Sequence, residues 1–249
     1  MVRGGFVTYG KVAGILMLDS RIPRIPGDPG HAQTFPFPVA YRAVEGLPFS
    51  DLVEGRMENA DKASDAAAGL EAEGVSFVAA DCGLFSILQE KIAARLSIPF
   101  LGSALALIPL LESFLPPNRC VGVLTGHTAL LREHHIRAAG AAPDRIVVAG
   151  MENSSEFRKV VIDRGNELDP EAMREGVLEA SRELTRKAAL KGLGLGAVVL
   201  ECTNLVSFRD TVQDEAGAPV YDLVSLVEMY ASGYARREFA ETHRPFPRK

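Results

Sequence analysis

The stretch VSFVAADCGLF (75–85), continued by IPFLGSALALIPLL (98–111), has a counterpart later in the same chain: AVVLECTNLV (197–206), continued by APVYDLVSLVEMY (218–230). Each copy reads as strand, cysteine, helix, proline-initiated strand, helix. The interval from cysteine to proline is 17 residues in both, Cys82 to Pro99 and Cys202 to Pro219. A pattern kept over that length marks a duplicated α/β unit, and two such units are expected to face each other about a pseudo-twofold axis.

Outward from this repeat, the runs GILML (14–18), Val39 to Val44, CVGVLT (120–125) and RIVVAG (145–150) are brief apolar blocks without clean alternation. Strands covered by helices on both faces have this character. Helix-length segments at 84–96, 128–139, 170–190 and 222–239 lie between strands, so the fold class is α/β with mostly parallel sheets in two similar domains. The Leu-Pro-Pro-Asn stretch at 115–118 marks the first crossover, and the last helix is expected to return to the first domain. That gives a first domain of 1–117 plus 222–249, carrying Cys82, and a second of 118–221, carrying Cys202. Residues 21–50 break the rhythm with six of the 15 prolines. Such an insertion after the first strand is expected to lie over the carboxyl end of the sheet as a lid, binding arm or interface element.

Composition narrows the function. The 249 residues are 47% hydrophobic and 24% charged, with 27 Lys and Arg against 32 Asp and Glu. Disorder and a disulfide scaffold are excluded. No basic stripe offers a footprint for nucleic acid. No apolar run reaches the roughly 18 residues a membrane span needs, and the N-terminal 20 residues read as a first strand and not a leader, so a cytoplasmic protein with three free thiols is expected.

In an open parallel sheet, ligands bind outside the carboxyl ends of the strands, where Cys82 and Cys202 both fall. A helix start beside each sulfur favours thiolate. One sulfur on each side of a shared cleft suits acid/base chemistry at a single carbon. Cys120 opens a strand, has no counterpart in the repeat and reads as core. His127, His134 and His135 lack metal-ligand spacing, and the glycines of 191–196 precede a strand where a dinucleotide loop would follow one, so neither metal nor cofactor is expected. Asp19 could orient a thiol or be a solvated turn residue, and Arg21 and Arg24 could clamp a carboxylate or be solvated. Ser103 reads better as a helix cap, and Tyr221 and Asp222 hold the equivalent place in the second copy.

Ala80-Asp81-Cys82-Gly83 and Leu200-Glu201-Cys202-Thr203-Asn204 together resemble the paired cysteine motifs of the aspartate/glutamate racemase superfamily. Gly14 to Ser20 is similar to its first strand with an Asp-Ser end, and Val121 to Thr128 to the strand and Gly/Thr loop that opens its second domain. The resemblance implies two flavodoxin-like domains with the site between them, no cofactor, and Cys82 and Cys202 as the acid/base pair. It places Asp19, Ser20, Gly83, Thr125, Thr128, Thr203 and Asn204 at the substrate, with Thr203 and the Thr125 to Thr128 loop holding a carboxylate. Amino-acid racemases of the family usually carry Asn where this chain has Gly83, and often His where it has Asn204, which argues against a plain amino acid. The leading expectation is a racemase or epimerase of a small carboxylate-bearing molecule, one cysteine entering as thiolate. The rivals are a lyase or cis-trans isomerase using the same pair, for example on a dimethylsulfoniopropionate-like substrate, and a non-catalytic two-domain binding protein. The partners expected are that substrate and a second copy of the chain, as a homodimer.

Overall fold

A computed structural model describes residues 5–234. Residues 1–4 of the expected N-terminal strand segment, and 235–249 of the expected last helix and first domain, lie outside the described residues. β1 (Ala13–Leu18) leads through a proline-rich arm, residues 19–38, into β2 (Val39–Val44). α1 (Phe49–Glu54) and α2 (Ala60–Ala72) precede β3 (Phe77–Ala80), and α3 (Gln89–Arg95) precedes β4 (Phe100–Leu101). After α4 (Ile108–Phe114) come β5 (Arg119–Thr125), α5 (Glu133–Ala138), β6 (Ile146–Gly150), the short α6 (Ser155–Phe157), α7 (Pro170–Leu190), β7 (Gly194–Leu200), α8 (Arg209–Ala216), β8 (Val220–Tyr221) and α9 (Leu223–Ser232). The strands form two four-stranded sheets, ordered β2-β1-β3-β4 and β6-β5-β7-β8, with every pair parallel.

Burial explains the unbroken apolar runs. Val121 and Val123 of β5, with Ala197 and Val199 of β7, pack into the core that holds β1, β3 and α2. Their neighbours Cys120, Leu124, Val198 and Leu200 point the other way, into a core closed by α7 and α8. Successive strand residues face opposite sides, so a strand buried on both faces has no polar alternation left to show. Cys120 fills this second core.

α7 is set by its sequence. Asp169 caps it by accepting the N–H groups of Glu171 and Ala172, and Pro170 takes the first helical position, where no N–H is needed. Met173, Val177, Ala180, Leu184 and Ala188 make one buried stripe against the sheet. Ser103 accepts from Leu105 N–H, and Asp222 caps α9 by accepting from Ser225 N–H. α9 buries Val224, Val227 and Ala231 in the first core, and the Tyr230 ring lies 5.1 Å from that of Phe77. Among the described residues no helix is long and apolar enough to cross a membrane.

Two helices differ from expectation. The segment 128–139 is helical only over Glu133–Ala138, because Leu130 and Leu131 first turn back onto the His127 carbonyl and Arg132 is extended at φ −95°. The segment 84–96 opens as a tight three-residue-per-turn helix, Gly83–Leu88, before α3, and Thr203–Phe208 repeats this before α8. The crossover from β1 to β2 holds no helix, although parallel strands are usually joined by one. Prolines 23, 26, 29, 36 and 38 forbid it.

Candidate active site

In each sheet the chain leaves the two inner strands in opposite directions, which opens a crevice between their carboxyl ends. The two crevices meet in one cavity of about 400 Å³. The first sheet contributes Leu18, Asp19 and Ser20 from the end of β1, and Asp81 and Cys82 from the end of β3. The second contributes Thr125, Gly126 and His127 after β5, and Glu201, Cys202, Thr203 and Asn204 after β7. Ile22 and Arg24 of the arm, Leu47, Phe49, Leu84 and Leu130, and Phe157, Val161, Ile162 and Arg164 complete the wall. The residues around Phe157 form a single wide turn, Arg158–Ile162, followed by Arg164 at φ 57°. Wide turns of this kind recur at functional sites, and left-handed backbone costs a non-glycine residue about 1–2 kcal/mol.

Both candidate cysteines are therefore brought together, each half-buried in the wall. Cys202 Sγ lies 3.8 Å from the side-chain oxygen of Asn204, and a Cβ on Gly126 would come within 3.3 Å of the same sulfur, so glycine there leaves the thiol its space. Desolvation, reinforced by the Glu201 carboxylate, holds both thiols well above the ordinary range. The N–H groups of Leu84 and Asn204 pull the other way without matching it. This corrects the expectation of a resting thiolate. The turns that follow the cysteines are tight and short, and their weak dipoles face two buried carboxyls.

Those carboxyls are the residues missed in the sequence. Asp81 and Glu201 each directly precede a cysteine, a matched pair that was visible in the repeat. Asp81 is 3% exposed and forms an ion pair with Arg24 at 2.8 Å, and Arg24 also holds Asp28 of the arm at 2.7 Å. Burial pushes the Asp81 carboxyl up against the pull of Arg24. Glu201, 4% exposed, accepts the Thr125 hydroxyl at 2.6 Å, and burial pushes it up to about 7. Of the two candidate arginines, only Arg24 reaches the cavity.

The remaining expected residues divide. Asp19, Ser20, Thr125, Thr203 and Asn204 line the cavity, whereas Gly83 and Thr128 do not. The Thr128 hydroxyl donates to Glu152 at 2.6 Å on the surface, because the chain turns outward after His127. Gly83 sits where the halves touch: a Cβ there would lie 2.6 Å from both the Glu201 carbonyl oxygen and its Cγ. The Thr203 hydroxyl donates to the Asp81 carbonyl at 3.3 Å and so links the halves. The arm bridges them too, with Asn204 donating to Asp28 at 3.4 Å and Gly27, at φ 101°, pressed against Ser207. His135 is part of the same seam. Its Nδ1 accepts the Arg132 N–H, which leaves Nε2–H to donate to the Leu52 carbonyl at 2.8 Å. Among the described residues no group of three His, Cys, Asp or Glu side chains is arranged to hold a metal ion.

Residues 30–228 match the model of the Asp/Glu/hydantoin racemase family. The chain belongs to that family. The family's fold is seen in a glutamate racemase from Bacillus anthracis, with a TM-score of 0.59 at 13% identity over 90% of this chain and 81% of that one. An arylmalonate decarboxylase also has it, with a TM-score of 0.55 at 14% identity over 89% and 91%. Sequence likeness points elsewhere within the family. A dimethylsulfoniopropionate lyase of Durusdinium sp. clade D is 30% identical over 244 residues, 94% of this chain and 79% of its own length. Dimethylsulfoniopropionate lyase 7 of Emiliania huxleyi is 26% identical over 85% of this chain, which spans 64% of that protein. The family membership is that of an enzyme, and these relatives favour the lyase alternative over racemisation.

Proposed function

We propose that this protein is a lyase that eliminates a dialkyl sulfide from a β-sulfonio carboxylate, with dimethylsulfoniopropionate as the type substrate. The observation that carries the reading is the composition of the cavity wall in a chain so similar to named lyases: two thiols, acid-rich surroundings and phenylalanine rings. A sulfonium is a cation in an apolar coat. Asp81 and Glu201 supply the negative field, and Phe49 and Phe157 add aromatic surface to the wall that such a cation meets. Arg164 lines the cavity outside every ion pair formed by the described residues, which leaves its guanidinium to hold the substrate carboxylate in this reading.

The chemistry then needs one base. A cysteine thiolate takes the proton from the α-carbon, that C–H electron pair becomes the new C=C bond, and the C–S bond breaks with its pair leaving on sulfur. The products are a dialkyl sulfide, an acrylate and one proton. The second thiol faces the same carbon and restrains the carbanion by hydrogen bonding as charge develops. Racemisation would use the same first step and reprotonate instead.

The test is to incubate the purified protein with dimethylsulfoniopropionate, measure dimethyl sulfide in the headspace and follow proton NMR in D₂O. Sulfide and vinyl signals in equal amounts are expected. Deuterium at the α-carbon with the skeleton intact and no sulfide would return the racemase reading.

A further inference from the structure

We propose that Glu201 is the proton store of this site, taking the proton that a thiol must lose before it can act as base and passing it to water after each turnover. The need for such a group follows from the reaction and the cavity together. Elimination liberates one proton per molecule, and the base that collects it is a half-buried cysteine whose thiol desolvation keeps protonated. A thiol that stays protonated cannot begin the next cycle.

Glu201 is the wall group placed to relieve it. It is adjacent in sequence to Cys202, and its side chain crosses the seam to lie against Gly83, the residue after Cys82. One oxygen, Oε2, is held by the Thr125 hydroxyl at 2.6 Å, while Oε1 accepts no hydrogen bond among the described residues. The rival acids already face a cation: Asp28 and Asp81 share Arg24, Asp81 through Oδ2, with its Oδ1 buried without a hydrogen-bond partner. Asp19, at the end of β1, is exposed. The other charged and titratable groups lining the cavity are Asp19 after β1, Asp81, Cys82 and Cys202 at the strand ends, His127 after β5, Arg24 on the arm and Arg164 after the wide turn. Burial leaves the Glu201 carboxyl near 7, balanced between its two forms at neutral pH, which is where a group that both accepts and releases protons works best.

The step balances. The S–H bond breaks and its proton passes to Oε1, leaving thiolate and carboxylic acid. The thiolate takes the α-proton and becomes thiol again as the sulfide departs. The carboxylic acid gives its proton to solvent, so one proton is released per substrate. Glu201 does not touch the reacting carbon; it is a positioning residue that acts through the thiol. The inference rests on the lyase reading, because an elimination leaves a proton to be disposed of and a racemisation does not.

The experiment compares wild type, Glu201→Gln and Glu201→Asp in two assays. In the first, without substrate, iodoacetamide alkylation of Cys82 and Cys202 is followed by mass spectrometry from about pH 5.5 to 9. Removing the carboxylate charge lowers the thiols, so Glu201→Gln is expected to alkylate roughly 3–10-fold faster above neutrality and to lose an inflection near pH 7 that wild type shows. In the second, release of dimethyl sulfide is expected to fall roughly 100-fold or more in kcat in Glu201→Gln, with a smaller rise in KM from the lost negative field and partial recovery of kcat in Glu201→Asp. More reactive thiols with less turnover is a combination that a packing role does not produce. Turnover of Glu201→Gln within threefold of wild type overturns the proposal, as does lost turnover with alkylation no faster than wild type. If wild type itself releases no sulfide, the lyase reading fails. Glu201 is then judged on alkylation alone, where identical pH profiles for wild type and Glu201→Gln overturn it.

Discussion

Replacing Glu201 by glutamine should make the protein more stable, and only at high pH. The carboxyl's folded-state value is raised from 4.5 to about 7 by burial. A raised acid is protonated in the folded chain while the unfolded chain has already let its proton go, so stability falls as pH rises from the unfolded value to the folded one. At about pH 8 the ionised, buried Glu201 costs the fold on the order of 3 kcal/mol, whereas near pH 4 it costs almost nothing. Glutamine has the same shape, still accepts the Thr125 hydroxyl and carries no charge. The variant should therefore melt about 6–12 °C above wild type near pH 8, at roughly 2–4 °C per kcal/mol for a chain of this size, and within a degree or two of it near pH 4. Paired thermal melts of the two proteins under reducing conditions measure this directly, since every other titrating group cancels in the difference. A stability difference of the same size at both pH values would refute the reasoning, because it would mean that Glu201 contributes packing and no buried charge.

Three further outcomes follow from the same site. Cys82→Ser and Cys202→Ser should each abolish sulfide release while shifting the melting temperature by only a few degrees; full activity in either removes the two-cysteine mechanism. Gly83→Ala inserts a Cβ 2.6 Å from the Glu201 backbone oxygen, an overpacking expected to cost about 1–3 kcal/mol in urea titrations, and an unchanged midpoint would show that the seam yields freely. Arg24→Met strands Asp81 and Asp28 without their shared cation, which should cost about 3–5 kcal/mol at neutral pH and less in acid, where the carboxyls can protonate; a loss under about 1 kcal/mol contradicts the buried triad.

The sheets were legible because parallel strands buried on both faces must be continuous apolar blocks, and each of the expected blocks holds a strand. The cysteines were legible because duplication set them at one interval from a proline. What stayed hidden was whatever depends on contact across the seam. Thr203 looked free to bind a carboxylate, yet its hydroxyl reaches the Asp81 carbonyl, a partner more than a hundred positions away. Gly83 looked like a missing ligand and turns out to be a contact point, since nothing local records that Glu201 presses on it. The thiolate was misjudged for a related reason. The helix start beside each cysteine can be read along the chain, but the two carboxyls that oppose it are brought close only by folding. Arg24 could not be told from Arg21 because burial cannot be read from a proline-rich stretch; Asp81 and Asp28 keep it inside.

The arm between β1 and β2 has a consequence for how such a protein changes over generations. Its ends are fixed by strands that pair from Ala13 opposite Val39 to Leu18 opposite Val44, while the segment between them is irregular. Doubling the length of a connection like this adds only about 0.6 kcal/mol of closure entropy. Away from Arg24, Gly27 and Asp28, which tie the arm to the two halves, residues can be gained, lost or exchanged there without disturbing either sheet, and such changes reshape the cavity wall around Ile22. A pair of cysteines can in this way be inherited unchanged while the molecule it acts upon is replaced.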